Sequence, residues 1–102
     1  MADDAIRVAV DPGLTDLIPG YLQHRGEDVV AIREAIEADD LEKVRIIGHN
    51  LRGTGGGYGF DGITEIGAAL ETAAAHDDAV AAHEALAALT DYLGRVVVLY
   101  DE

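Results

Sequence analysis

Cysteine is missing altogether, which removes disulfide frameworks and thiolate chemistry and fits a reducing compartment. Tryptophan is missing too, and aromatic residues make up only 5% of the chain, so a core has to be assembled from Ala, Val, Ile and Leu. Cations are scarce: seven Lys and Arg stand against 20 Asp and Glu, a formal charge of −13. Such a chain repels phosphate backbones and anionic headgroups, which argues against nucleic acid and membrane surfaces as partners. No apolar run approaches the roughly 18 residues of a membrane span. The opening MADDAIRVAV carries acids where a secretory signal needs a basic region, so the chain reads as soluble and cytoplasmic.

What is present is a helical pattern. A length of 102 residues predicts one domain, 1–102, with a single core. After the turn signature Asp11-Pro12-Gly13, Ile18, Leu22, Arg25, Val29, Ile32 and Ile36 recur at helical spacing, predicting a helix over about 16–38 with Arg25 its only polar stripe member. Asp39-Asp40 offers a cap for a second helix, whose stripe is Leu41, Val44, Ile47, Gly48 and Leu51. A third helix over about 61–75 carries Ile63, Ile66, Gly67, Leu70 and Ala74. A fourth, about 78–93, carries Val80, Ala82, Leu86, Leu89 and Leu93. The expected fold is all-α, an antiparallel up-down four-helix bundle with short connections.

The two ends read as short strands. Ile6 to Val10 alternates, and Val96 to Tyr100 is β-branched after Gly94. In an up-down bundle both lie at one pole, where they could pair antiparallel, although Val96 to Tyr100 could instead form a final helical turn.

One stretch does not fit a plain bundle. Gly48 to Phe60, GHNLRGTGGGYGF, packs glycines at 53, 55, 56, 57 and 59 behind a histidine and an arginine, although each glycine inside a helix costs about 1 kcal/mol relative to alanine. With 100° per residue and His49 at zero, Val44, Ile47 and Leu51 fall at roughly 220°, 160° and 200°. If those three face the core, His49 faces water. Around it lie Arg45 and Arg52 as cations, Gly53 and Gly56 as residues without side chains, and Ile46 as an apolar contact. A neutral imidazole has a free ring nitrogen able to attack phosphorus. Two arginines could then offset the roughly two negative charges of a phosphoryl group.

At these residues the sequence resembles the histidine-containing phosphotransfer (HPt) domains of two-component phosphorelays. The motif reads His49-Asn50-Leu51-Arg52-Gly53-Thr54, then Gly59; "AIEADD" before it, the Ile-Gly pair preceding His49 and "IGAALETAA" in the third helix are similar as well. Arg52 stands where lysine is commoner. The resemblance implies a phosphorelay intermediate in which His49 accepts a phosphoryl group from a receiver-domain aspartate and passes it on, and Arg52 is the charge partner. It implies a carrier rather than a kinase, with no cofactor of its own, Mg²⁺ and the catalytic acids belonging to the receiver. The implied partners are a response-regulator receiver domain, a sensor histidine kinase, or both. Arg45 is expected to support the phosphate, although an i−3 pair with Glu42 or a link to Asp39 would account for it equally well, and Ile46, Gly53 and Gly56 to dock the partner. The glycines then continue the second helix to about 57, with the turn at Tyr58-Gly59.

Other readings compete with this one. A helical interaction module could dock receiver or kinase domains through the same face without taking phosphate. An enzyme is disfavoured because the sequence offers no polar catalytic group besides arginine near His49. A metal site is not expected, since His24, His49, His76 and His83 include no i, i+4 pair. The literal G-x-G-x-x-G from Gly57 to Gly62 lacks the leading strand of a nucleotide-binding unit. Monomer is the default oligomeric state.

Overall fold

Two Asp-Asp pairs punctuate the bundle. In the computed structural model, which describes residues 4–100, helix α1 (Ile18–Glu37) ends where Asp39 takes a left-handed φ of 58°. The amides of Asp39 and Asp40 turn back to the carbonyls of Ile36 and Ala35. Asp40 then caps α2 (Leu41–Thr54), its carboxylate accepting from the Lys43 amide at 3.1 Å. The device recurs at the same end of the bundle: Asp77, at φ 54°, closes α3 (Asp61–Ala75), and Asp78 caps α4 (Ala79–Arg95) through the Ala81 amide at 3.0 Å. The first aspartate in each pair tolerates the left-handed turn and the second satisfies orphan amides.

Among the described residues, four α-helices and two short strands make up the fold. Each helix packs on its neighbours in chain order, and α4 closes back on α1. The core is aliphatic, with Ile18, Ile32, Val44, Leu51, Ile63, Leu70 and Leu89 fully buried around Phe60. The spans of α1, α3 and α4 match the periodicity to within two residues at each end, while α2 ends at Thr54, short of the expected 57, and Val80 is 69% exposed. It stands two residues, roughly 200°, from Ala82, so the stripe set by Ala82, Ala85, Leu86 and Leu89 excludes it. Two tyrosines outside the apolar stripes, Tyr21 and Tyr92, are buried as well.

The strands pair at the predicted pole but parallel, not antiparallel. Strand β1 (Ile6–Val10) runs alongside β2 (Val96–Tyr100) with Ile6 opposite Val96 and Val10 opposite Tyr100. Strand β2 continues straight out of α4. The chain reverses after β1 instead, through Asp11, whose carboxylate accepts from the Gly13 amide, and the 3₁₀ turn Pro12–Leu14. That reversal lets β1 travel with β2 and bury Val10 beside the turn between α2 and α3. The ends of the expected 1–102 span, residues 1–3 and 101–102, lie outside the described residues.

Candidate functional site

Helix α2 stops being α-helical at Thr54, continues as a 3₁₀ turn over Gly56–Tyr58, and reverses at Gly59, whose φ is 95°. The path is therefore helical to about the predicted point, with the left-handed glycine as its turn. Thr64 of α3 secures the junction: its hydroxyl accepts from the Gly56 amide at 2.8 Å and donates to the Arg52 carbonyl at 3.3 Å.

The glycines divide by face. A Cβ on Gly48 would sit 2.8 Å from the Glu71 backbone nitrogen and 2.9 Å from the Gly67 carbonyl, and one on Gly55 would sit 2.7 Å from the Thr64 nitrogen. These residues, with Gly67 opposite, bring the backbones of α2 and α3 together. Gly53 and Gly57 meet nothing within 4 Å, and Gly56 meets only Thr64 and Asp61 at ordinary contact distance. The first group serves packing, and the second leaves the surface beside His49 bare.

His49 points outward with its side chain 58% exposed, and Val44 and Leu51 are buried on the opposite side of α2. The close approach of α3 places Glu71, one turn after Gly67, against it. Glu71 Oε2 lies 3.0 Å from His49 Nδ1, and Oε1 lies 3.2 Å from Arg52 Nη1. An ionised carboxylate only accepts, so Nδ1 carries a proton, and in the neutral ring Nε2 holds the free lone pair. The expectation that arginine is the only polar group near His49 is thus corrected. A signal for Glu71 existed: it sits roughly 40° from Gly67 on the α3 wheel, an acid at the edge of a stripe of small residues.

Arg52 is half exposed on the His49 face. Arg45 is bound elsewhere, its Nε donating to Glu42 Oε2 at 3.0 Å and its Nη2 to Oε1. The hydrogen bonds from Arg45 hold the Glu42 carboxyl below its ordinary value. Ile46 is 47% exposed, and Gly53 and Gly56 are exposed with it, so the three docking candidates lie open. On the flank toward α1, Tyr21 stacks on Tyr58 with ring centroids 4.3 Å apart and bonds Thr54 through its hydroxyl at 3.3 Å. Arg25, the polar stripe member, lies over the Tyr21 ring at 4.5 Å. The Gly57 to Gly62 stretch spans the 3₁₀ turn and the start of α3, with a helix before it.

The arrangement is that of an exposed imidazole with a carboxylate at Nδ1, a half-exposed arginine on the same face, and exposed glycines at 53 and 56 beside it. A family model described as the Hpt domain matches residues 16–97. No curated protein and no solved structure matches the chain.

Proposed function

The chain belongs to the Hpt domain family, whose members carry phosphoryl groups in two-component signalling, and from that premise we propose that His49 is its phosphoacceptor. In this reading the chain is one carrier domain and not a kinase. Nε2 takes the phosphoryl group from an aspartyl phosphate on a receiver domain and returns it to another. The observation that carries the reading is the Glu71 contact at Nδ1, which leaves Nε2 as the basic nitrogen of an exposed imidazole.

The chemistry follows from charge. As Nε2 bonds to phosphorus, positive charge develops on the ring, and the Glu71 carboxylate at the Nδ1 hydrogen stabilises it. Arg52, at i+3 on the same helix, is placed to meet the phosphoryl oxygens. Arg45 would join only by leaving Glu42. Gly53 and Gly56 give the receiver room, and Ile46 gives it an apolar contact beside the reacting atom. A receiver supplies the Mg²⁺ and the acids of transfer, so this chain needs neither. Among the described residues no helix is long and apolar enough to cross a membrane.

The test is phosphoryl uptake from a receiver domain charged with acetyl phosphate and Mg²⁺, read by intact mass. The native protein should gain one phosphate that acid removes and alkali spares, and His49→Gln should gain none while keeping its helicity. Uptake by the variant would end the assignment. A native protein that binds receivers without uptake would instead be a docking module.

A further inference from the structure

Glu71 uses both of its oxygens, one on His49 Nδ1 and one on Arg52 Nη1. With His49 unphosphorylated and its ring neutral, the only full ion pair of the three groups is Arg52 with Glu71. Transfer changes that balance. The Nε2 lone pair forms the N–P bond as the P–O bond of the aspartyl phosphate breaks, and the P–O electron pair stays on the departing carboxylate. No proton needs to move: Nδ1 keeps its hydrogen, and the ring becomes an imidazolium bearing a dianionic phosphoryl group.

We infer that loading His49 makes Arg52 change partners, from Glu71 to the phosphoryl oxygens, while Glu71 becomes the counter-ion of the imidazolium; this rests on His49 being the phosphoacceptor. The ring is already against Oε2, so its new charge answers that of the carboxylate without any movement. The dianion, with three acceptor oxygens, is the stronger attractor for a guanidinium. Of the two side chains Arg52 is the one free to move. It is 50% exposed, whereas Glu71 is only 21% exposed and is rooted on α3 where that helix meets α2 backbone to backbone. Glu71 therefore competes with the phosphoryl group for Arg52. That competition offsets part of what Arg52 contributes to holding the phosphoryl group.

The competition gives a double-mutant cycle a definite sign. Phospho-protein is mixed with a receiver domain and Mg²⁺, and the share of phosphate remaining on His49 at equilibrium is measured for native, Arg52→Ala, Glu71→Gln and the double variant. The amide of Glu71→Gln keeps an acceptor for Nδ1–H but gives Arg52 no ion pair. If Arg52 exchanges partners, Arg52→Ala should lower the share in both backgrounds, and about threefold more strongly in the Glu71→Gln background, where no Arg52–Glu71 pair offsets the gain. An equal or smaller drop there overturns the exchange. The native protein offers a second readout needing no variant: on loading with phosphoramidate, the Arg52 guanidinium ¹⁵N resonances should shift, and unmoved resonances overturn it too. A native protein that takes no acid-labile phosphate would remove the underlying reading, whereas normal uptake with an equal or smaller drop removes the exchange alone.

Discussion

Gly48 and Gly67 meet across α2 and α3 so closely that a Cβ on the first would lie 2.9 Å from the carbonyl oxygen of the second. A Cβ on Gly67 would in turn run into the Arg52 amide nitrogen and sit 2.7 Å from the Gly48 carbonyl. Backbone on both sides cannot rotate away. Gly67→Ala should therefore cost about 2–3 kcal/mol, at the upper end of ordinary overpacking. It should also weaken phosphoryl uptake by moving Glu71 off His49. Urea denaturation and the uptake assay check both, with Gly57→Ala, which meets nothing within 4 Å, as the neutral comparison. Loss of less than about 1 kcal/mol by Gly67→Ala would mean that the helices separate cheaply.

Gly53 is expected to part stability from function. It lies inside α2, exposed, with open space where a Cβ would go, so Gly53→Ala should stabilise the protein by up to about 1 kcal/mol through helix propensity. If the bare surface serves receiver approach, larger side chains should act differently: Gly53→Gln should fold as well as native and take phosphate from a receiver at least about tenfold more slowly, a rate loss worth about 1.4 kcal/mol. Uptake from phosphoramidate, a small donor, should stay near native. Equal slowing with both donors would show that residue 53 affects His49 itself rather than docking.

Asp28 gives a pH signature. Burial pushes its carboxyl above the ordinary 3.8, with the charge of Arg25 pulling partly the other way. Arg25 Nε lies 2.8 Å from Asp28 Oδ2 as an ion pair that does not amount to a hydrogen bond. A raised carboxyl binds its proton more tightly folded than unfolded, so its contribution to stability is fully present below the unfolded value and is lost as pH rises through the folded one. The stability of native protein minus that of Asp28→Asn should thus fall as pH rises from the unfolded value through the raised folded one, and level off above it. A difference that grows with pH would mean that Arg25, not burial, dominates the site.

The sequence alone determined the four helices, their order and most of their exposed and buried faces, because apolar spacing and the two Asp-Asp pairs are local signals that need no knowledge of a neighbour. It likewise determined that His49 faces water, since Val44 and Leu51 leave it no other side of α2. Only the tertiary structure decided the rest. The parallel pairing of β1 with β2 depends on where the chain reverses after Val10, a matter of loop path rather than of strand composition. Val80 falls outside the core because a helical stripe is fixed by what the neighbouring helices touch, not by apolarity alone. The crowded glycines look alike in sequence, yet Gly48 and Gly55 make room for a helix while Gly53 and Gly57 face open space, a distinction that exists only once α3 is in place. Glu71 belongs to His49 for the same reason: 22 residues separate them along the chain, and only the close packing of two helices through glycine puts a carboxylate within a hydrogen bond of the imidazole.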